Sequence, residues 1–97
     1  MARPSSVKTT VVTSDTTLKA TPGKVWWVSV TNSHATDNAA IEISDGSTPD
    51  RWATVVPGLD TPASSHVSVV FDPPIACDTD IRIDITGGTV VATVAWT

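Results

Sequence analysis

The sequence is short of the residues that most often carry structure or chemistry. Its 97 residues hold one cysteine, one phenylalanine, no tyrosine, one glutamate, no glutamine, two leucines and one methionine. A single thiol, Cys77, excludes an intrachain disulfide, so the fold is expected to form unstapled in a reducing cytoplasm. Good helix formers are scarce, and no window of a dozen residues places apolar side chains at i, i+3, i+4 and i+7. Basic residues are outnumbered by acidic ones, six to ten, for a net charge of −4. The lysines and arginines are scattered along the chain, which predicts no basic patch and makes nucleic acid and anionic membrane unexpected partners. No apolar run approaches the roughly 20 residues of a membrane helix. Residues 1–6 are polar, carry Pro4 and lead into no apolar stretch, so they are expected to form a flexible arm and not a signal peptide. Residues 7–97 are the length of one domain.

What the chain does have is Val, Ile and Thr, which favour strands, and four tryptophans. The stretch Gly23-Lys24-Val25-Trp26-Trp27-Val28-Ser29-Val30-Thr31-Asn32 is expected to be a strand entered from a Pro22-Gly23 turn. With a period of two, Trp26, Val28 and Val30 share the core face, and Val25, Trp27, Ser29 and Thr31 the other. Shorter strands are predicted on both sides of it. Val7–Thr13 places Val12 outward, and Leu18 centres a second strand after a Ser14-Asp15 turn. Ile41 and Ile43 point inward before Asp45-Gly46, a hairpin signal. Trp52–Val56 follows, then Ser65–Phe71 with Val67, Val69 and Phe71 inward, ended by Pro73-Pro74. Ile81, Ile83 and Ile85 alternate inward, Gly87-Gly88 is expected to close a two-residue hairpin, and Thr89–Trp96 pairs back. Seven to eight short strands with turn signals every ten or so residues predict an all-β fold, an antiparallel β-sandwich of jelly-roll-like or immunoglobulin-like type.

No catalytic constellation is visible, and the chain is not expected to be an enzyme. His34 lies in a polar loop and His66 on an outward strand position, with no metal-ligand spacing, so both are expected to be solvated. Asp72, Asp78 and Asp80 contain an Asp-x-Asp that calcium could use, but turn-capping is the expected role. The single Glu42 gives no recognisable carboxylate pair, and Cys77 is expected to be a buried, inert thiol. No metal or other cofactor is implied. The tryptophans are more informative. Trp26 and Trp96 are expected in the core, and Trp52 could face either way. Trp27 is outward and either stacks on a sugar ring or packs against another protein surface. With Val25, Val70 and Val91, and Val12 near them, it forms an apolar outer patch of the kind a monomer avoids. Val25, Trp27, Val70 and Val91 are therefore the candidate oligomer or partner interface.

Gly23-Lys24 before an apolar strand, Asp45-Gly46-Ser47, Val69-Val70-Phe71-Asp72-Pro73-Pro74-Ile75 and Ile83-Asp84-Ile85-Thr86-Gly87-Gly88-Thr89, with a closing Val-Ala-Thr-Val strand, form an ordered pattern over residues 20–97. The pattern resembles small virion proteins of tailed bacteriophages, the decoration (cement) proteins of marine and cyanobacterial phages in particular. The resemblance implies a β-sandwich that assembles as a homotrimer, binds the major capsid protein on the outer capsid surface and stabilises the shell, after being made in the host cytoplasm. The alternative it leaves is a glycan- or host-recognition module of a head or tail fibre, with Trp27 or Trp52 as the stacking platform.

Overall fold

The computed structural model describes residues 7–46, 50–61 and 64–97. The expected arm at residues 1–6, and the parts of two loops that carry Pro49 and Pro62, lie outside these. Eight strands are present: β1 (Lys8–Val12), β2 (Thr16–Lys19), β3 (Gly23–Asn32), β4 (Ala39–Ser44), β5 (Trp52–Val56), β6 (His66–Cys77), β7 (Ile81–Thr86) and β8 (Val90–Trp96). Among the described residues there is no α-helix. The strands form two antiparallel four-stranded sheets, in the orders β1-β8-β3-β6 and β2-β7-β4-β5. Strand 1 pairs with 8, 2 with 7, 3 with 6 and 4 with 5, the pattern of one long hairpin ribbon wrapped around a core. That topology is a jelly roll, a β-sandwich that closes two Greek keys on each other.

The core is the inner faces of both sheets. Val28, Val30, Ala92 and Val94 come from one, and Ile41, Ile43, Ile81 and Ile83 from the other, each at most 1% exposed. Trp52 and Phe71 pack edge to face against this cluster, with ring centroids 5.5 Å apart.

The structure departs from the expected strands in four places. In β3, Val25 pairs with Trp96 but Trp27 pairs with Ala95, so two residues advance where the partner strand advances one. Trp26 is the extra residue of a β-bulge, and a bulge re-aims the side chain it carries. Val25 thereby takes a core position at 0% exposure, Trp26 is only partly buried, and the period of two resumes with Trp27 outward. The expected outward facing of Val25 is wrong for this reason. In β1, Val12 is the buried residue and Val11, 62% exposed, is the outward one. The β6 strand continues through Asp72-Pro73-Pro74 to Cys77, with its register to β3 broken between Val70 and Ile75. Prolines cannot donate to the ladder, and β6 is an edge strand, where that loss is tolerated. The Asp72–Pro73 peptide is cis.

The fourth departure is the Gly87-Gly88 turn. Both glycines have positive φ, 77° and 63°, as a primed turn requires. Yet β7 and β8 lie in different sheets, so the turn carries the chain across the sandwich instead of closing a hairpin. It is held there by Asn32, fully buried at the end of β3. The Asn32 amide donates to the Asp37 and Val56 carbonyls, at 2.8 and 2.9 Å, and its Oδ1 accepts from the N–H of His34 and of Thr89, at 3.1 and 3.0 Å. Its two donors and two acceptor sites are all used. One side chain therefore ties together the end of β3, the 33–38 loop, the end of β5 and the β7–β8 turn. A Cβ on Gly88 would stand 2.7 Å from Asn32 Oδ1, so glycine is required there for packing as well as for φ.

A second buried polar centre joins two loops at the other end. Asp45, 1% exposed, accepts from the main-chain N–H of Asp78 (2.7 Å), Thr79 (2.8 Å) and Asp80 (3.3 Å) and from the Arg51 guanidinium (2.9 Å). Asp80 answers by accepting from Gly46 N–H at 2.7 Å and from Arg82 at 2.8 Å. The N–H groups and then Arg51 hold the Asp45 carboxyl far below the usual carboxylate range. Arg82 and then Gly46 N–H lower Asp80 as well.

Candidate functional site

The outer face of the β1-β8-β3-β6 sheet is the candidate site, and its make-up follows from strand register. Three rows of side chains cross its middle: Thr9, Ala95, Trp27 and Val70; then Val11, Thr93, Ser29 and Ser68; then Val91, Thr31 and His66; beyond the bulge, Lys24 opposite Ala76 takes the outward side at one end. These rows contain no Lys, Arg, Asp or Glu. The outer face of the β2-β7-β4-β5 sheet is different. Its rows carry Arg82, Glu42 and Asp84 beside Thr17, Ser44, Ala53, Thr86, Ala40 and Val55. The two outer faces thus differ in charge: one carries ions, and the three rows of the other carry hydroxyls, an imidazole and apolar groups only. Depletion of charge marks the centres of protein interfaces.

Within the face, Val70 is 77% exposed, Val11 62% and Val91 49%. Trp27 is only half-buried. Ala95 points outward between Trp27 and Thr9, yet it is fully buried and stands outside the core cluster, so its larger neighbours cover it. Among the described residues the Trp27 indole N–H finds no hydrogen-bond partner, whereas those of Trp26 and Trp96 donate to Thr97 Oγ1 and Thr10 Oγ1. Beside it runs a polar track. Thr31 Oγ1 bonds His66 Nδ1 at 2.9 Å, His66 Nε2 bonds Ser68 Oγ at 3.0 Å, and Ser68 donates to Ser29 at 3.2 Å. One tautomer satisfies all three contacts, with the proton on Nε2, so the track is complete with a neutral imidazole.

The structure brings three of the four sequence candidates, Trp27, Val70 and Val91, onto this face and sends Val25 into the core. It adds Val11, which sequence reasoning missed because a Val11-Val12 doublet in a five-residue strand does not reveal which member faces out. Trp52, partly buried, packs edge to face on Phe71 at the core. His34 closes its own loop by accepting at Nδ1 from the N–H of Thr36 and Asp37. Cys77 is buried, and burial pushes its thiol up, away from the reactive thiolate. Glu42 stands higher than an ordinary glutamate because Asp50 and, to a lesser extent, Asp84 repel its charge, which marks an acidic surface patch on the opposite sheet. Among the described residues no group of three His, Cys, Asp or Glu side chains is placed to hold a metal ion. No protein-family model, curated protein sequence or solved structure matches the chain.

Proposed function

We propose that the chain is a structural subunit of a virion, a decoration protein that associates with copies of itself and with the outer surface of a phage capsid through the uncharged face of β1-β8-β3-β6. The carrying observation is the contrast between the two outer faces, one bearing Arg82, Glu42 and Asp84 and the other bearing no charge across Trp27, Val11, Val70 and Val91. Two copies of an uncharged face meet without burying an unpaired ion, which would otherwise cost several kcal/mol. The pattern resemblance over residues 20–97 supports the capsid as the setting.

The size of the face bears on how it would work. Four strands about 4.8 Å apart, carrying three rows about 6.8 Å apart, offer about 400 Å². A stable interface takes about 800 Å² from each partner. The face alone thus supports a weak contact in solution. On a lattice, where copies are held side by side, effective concentration replaces affinity and weak contacts add up to a firm clamp. A subunit that binds the assembled shell and not its dispersed parts stabilises the shell by mass action.

The test is cryo-electron microscopy of the virions whose genome encodes this sequence. The expected result is jelly-roll density on the outer capsid surface with this face turned toward neighbouring subunits. Density on a fibre or tail, or on the capsid with this face open to solvent, overturns the reading.

A further inference from the structure

The chain has three lysines, Lys8, Lys19 and Lys24. They lie apart in sequence, and the expectation that they are scattered is corrected by the fold: all three line one pocket. The start of β1, the end of β2, the start of β3 and the end of β8 meet there around a space of about 450 Å³, lined by Lys8, Lys19, Gly23, Lys24, Trp26, Trp96 and Thr97. Small-ligand sites generally measure about 300–1,000 Å³.

The charges in this pocket are uncommitted. Arg51 is paired with Asp45 and Asp78, and Arg82 with Asp80. Among the described residues none of the lysines forms an ion pair, in a chain with ten acidic residues. No Asp or Glu side chain lines the pocket among the described residues. Even a free carboxylate at Thr97 would offset one of the three charges and leave two. The aromatic wall is equally deliberate. The β3 bulge diverts Trp26 out of the core to this wall. The Trp26 and Trp96 indole N–H groups are bonded to Thr97 and Thr10, which fixes both rings. Lys8 Nζ stands 5.5 Å from the centre of the Trp96 ring, a cation–π contact that leaves the ammonium free to meet an anion. A Cβ on Gly23 would strike the Thr97 carbonyl oxygen and approach Lys19 within 3.0 Å, so glycine keeps this corner open.

We propose that this pocket binds a sugar bearing a carboxylate, sulfate or phosphate group, the ring against Trp26 beside the Lys8-covered Trp96 and the anionic group among Lys8, Lys19 and Lys24. Aromatic surface holds the C–H face of a pyranose, and lysine supplies point charges that suit any of the three anions. Extended polyanions are disfavoured, because the chain's net charge of −4 repels a ligand that runs beyond the three lysines. The pocket adjoins the end of the uncharged face, and its binding does not require the association proposed for that face.

The experiment follows the four tryptophan indole N–H signals by NMR while galacturonate, a monosulfated disaccharide, a sugar phosphate and their neutral counterparts are added in turn. The expected result is saturable movement of the Trp26 and Trp96 signals, with Trp52 unmoved, for at least one acidic sugar and for no neutral one. Lys8→Gln/Lys24→Gln, at two exposed positions, should weaken that binding roughly tenfold, as should near-molar salt, while circular dichroism stays unchanged. Val70→Lys should leave it intact. The proposal is overturned if no acidic sugar moves these signals at millimolar concentration, if neutral sugars bind equally well, or if the lysine variant binds as the wild type does. It is also overturned if an acidic peptide binds more tightly than every sugar tried.

Discussion

Replacing Asn32 tests whether one buried amide holds the four segments that meet at the end of β3. In Asn32→Ala, the Val56 carbonyl loses a partner in a fully buried setting, and the Asp37 carbonyl and the N–H groups of His34 and Thr89 lose theirs in partly buried ones. An orphaned buried group costs about 1–3 kcal/mol and a lost partly solvated bond about 0.5–1.5. With water replacing some of the outer bonds, the total comes to about 3–5 kcal/mol, a large share of the 5–15 kcal/mol that holds a domain together. At an m-value of about 1.5 kcal/mol/M, the urea midpoint followed by tryptophan fluorescence should fall by about 2–3 M. Asn32→Asp adds a sign to the test. A carboxylate there would face two carbonyl oxygens and be held protonated by preference, so its pKa in the folded state would be raised. Its damage should then be greatest near neutral pH and shrink as the pH falls, since the protonated acid can donate one of the two lost bonds. A midpoint change worth less than about 1 kcal/mol for Asn32→Ala, or an Asn32→Asp protein that loses further stability relative to wild type on mild acidification, would refute the role assigned to this residue.

Asp45 predicts the opposite pH behaviour. Its folded-state pKa is lowered, so the stability it contributes is present above 3.8, the value of an unperturbed aspartate, and is lost as the pH falls below it toward the folded value. Asp45→Asn should therefore be less stable than wild type at neutral pH, with the gap in denaturation midpoint closing in acid; a gap that stays constant contradicts the clamp. The β3 bulge predicts that Val25→Thr, which buries a hydroxyl at a position of 0% exposure, costs about 1–3 kcal/mol, while Val70→Thr, at 77% exposure, stays within about 0.5 in the same urea titration. Phe71→Ala removes the edge-to-face partner of Trp52, and thermal unfolding should report a loss of about 3–5 kcal/mol, reduced to the extent that the partly buried ring is solvated.

The sheet architecture was legible where a strand has one wet face and one dry face. Ile41 and Ile43, and Ile81 and Ile83, alternate with polar residues and lie at 0% exposure as their period of two requires. The reading failed where the backbone breaks that period. A bulge at Trp26 reverses the facing of everything before it, and nothing in Val-Trp-Trp-Val announces which residue is the extra one. Gly87-Gly88 correctly announced a left-handed turn, but its local chemistry is the same whether the strands it joins pair or cross. In the crossing form Asn32, fifty-five residues earlier in the chain, captures Thr89 N–H with its side chain, a contact that the turn's own sequence does not announce. The lysine pocket was invisible for the same reason. Lys8, Lys19 and Lys24 meet because strands 1, 2, 3 and 8 are neighbours in the sandwich, and proximity of that kind is set by topology.

The most direct measurement for the uncharged face is sedimentation velocity of the wild-type chain and of a Val70→Lys/Val91→Lys variant, carried from micromolar into millimolar concentration. The account predicts that the wild type moves from its 10.1 kDa monomer toward a small multiple of that mass as concentration rises. The variant, with the same circular dichroism, should stay monomeric, because each lysine places a charge where two copies would meet. A wild type that remains monomeric throughout, or a variant that associates as the wild type does, contradicts the claim that this face joins copies of the chain.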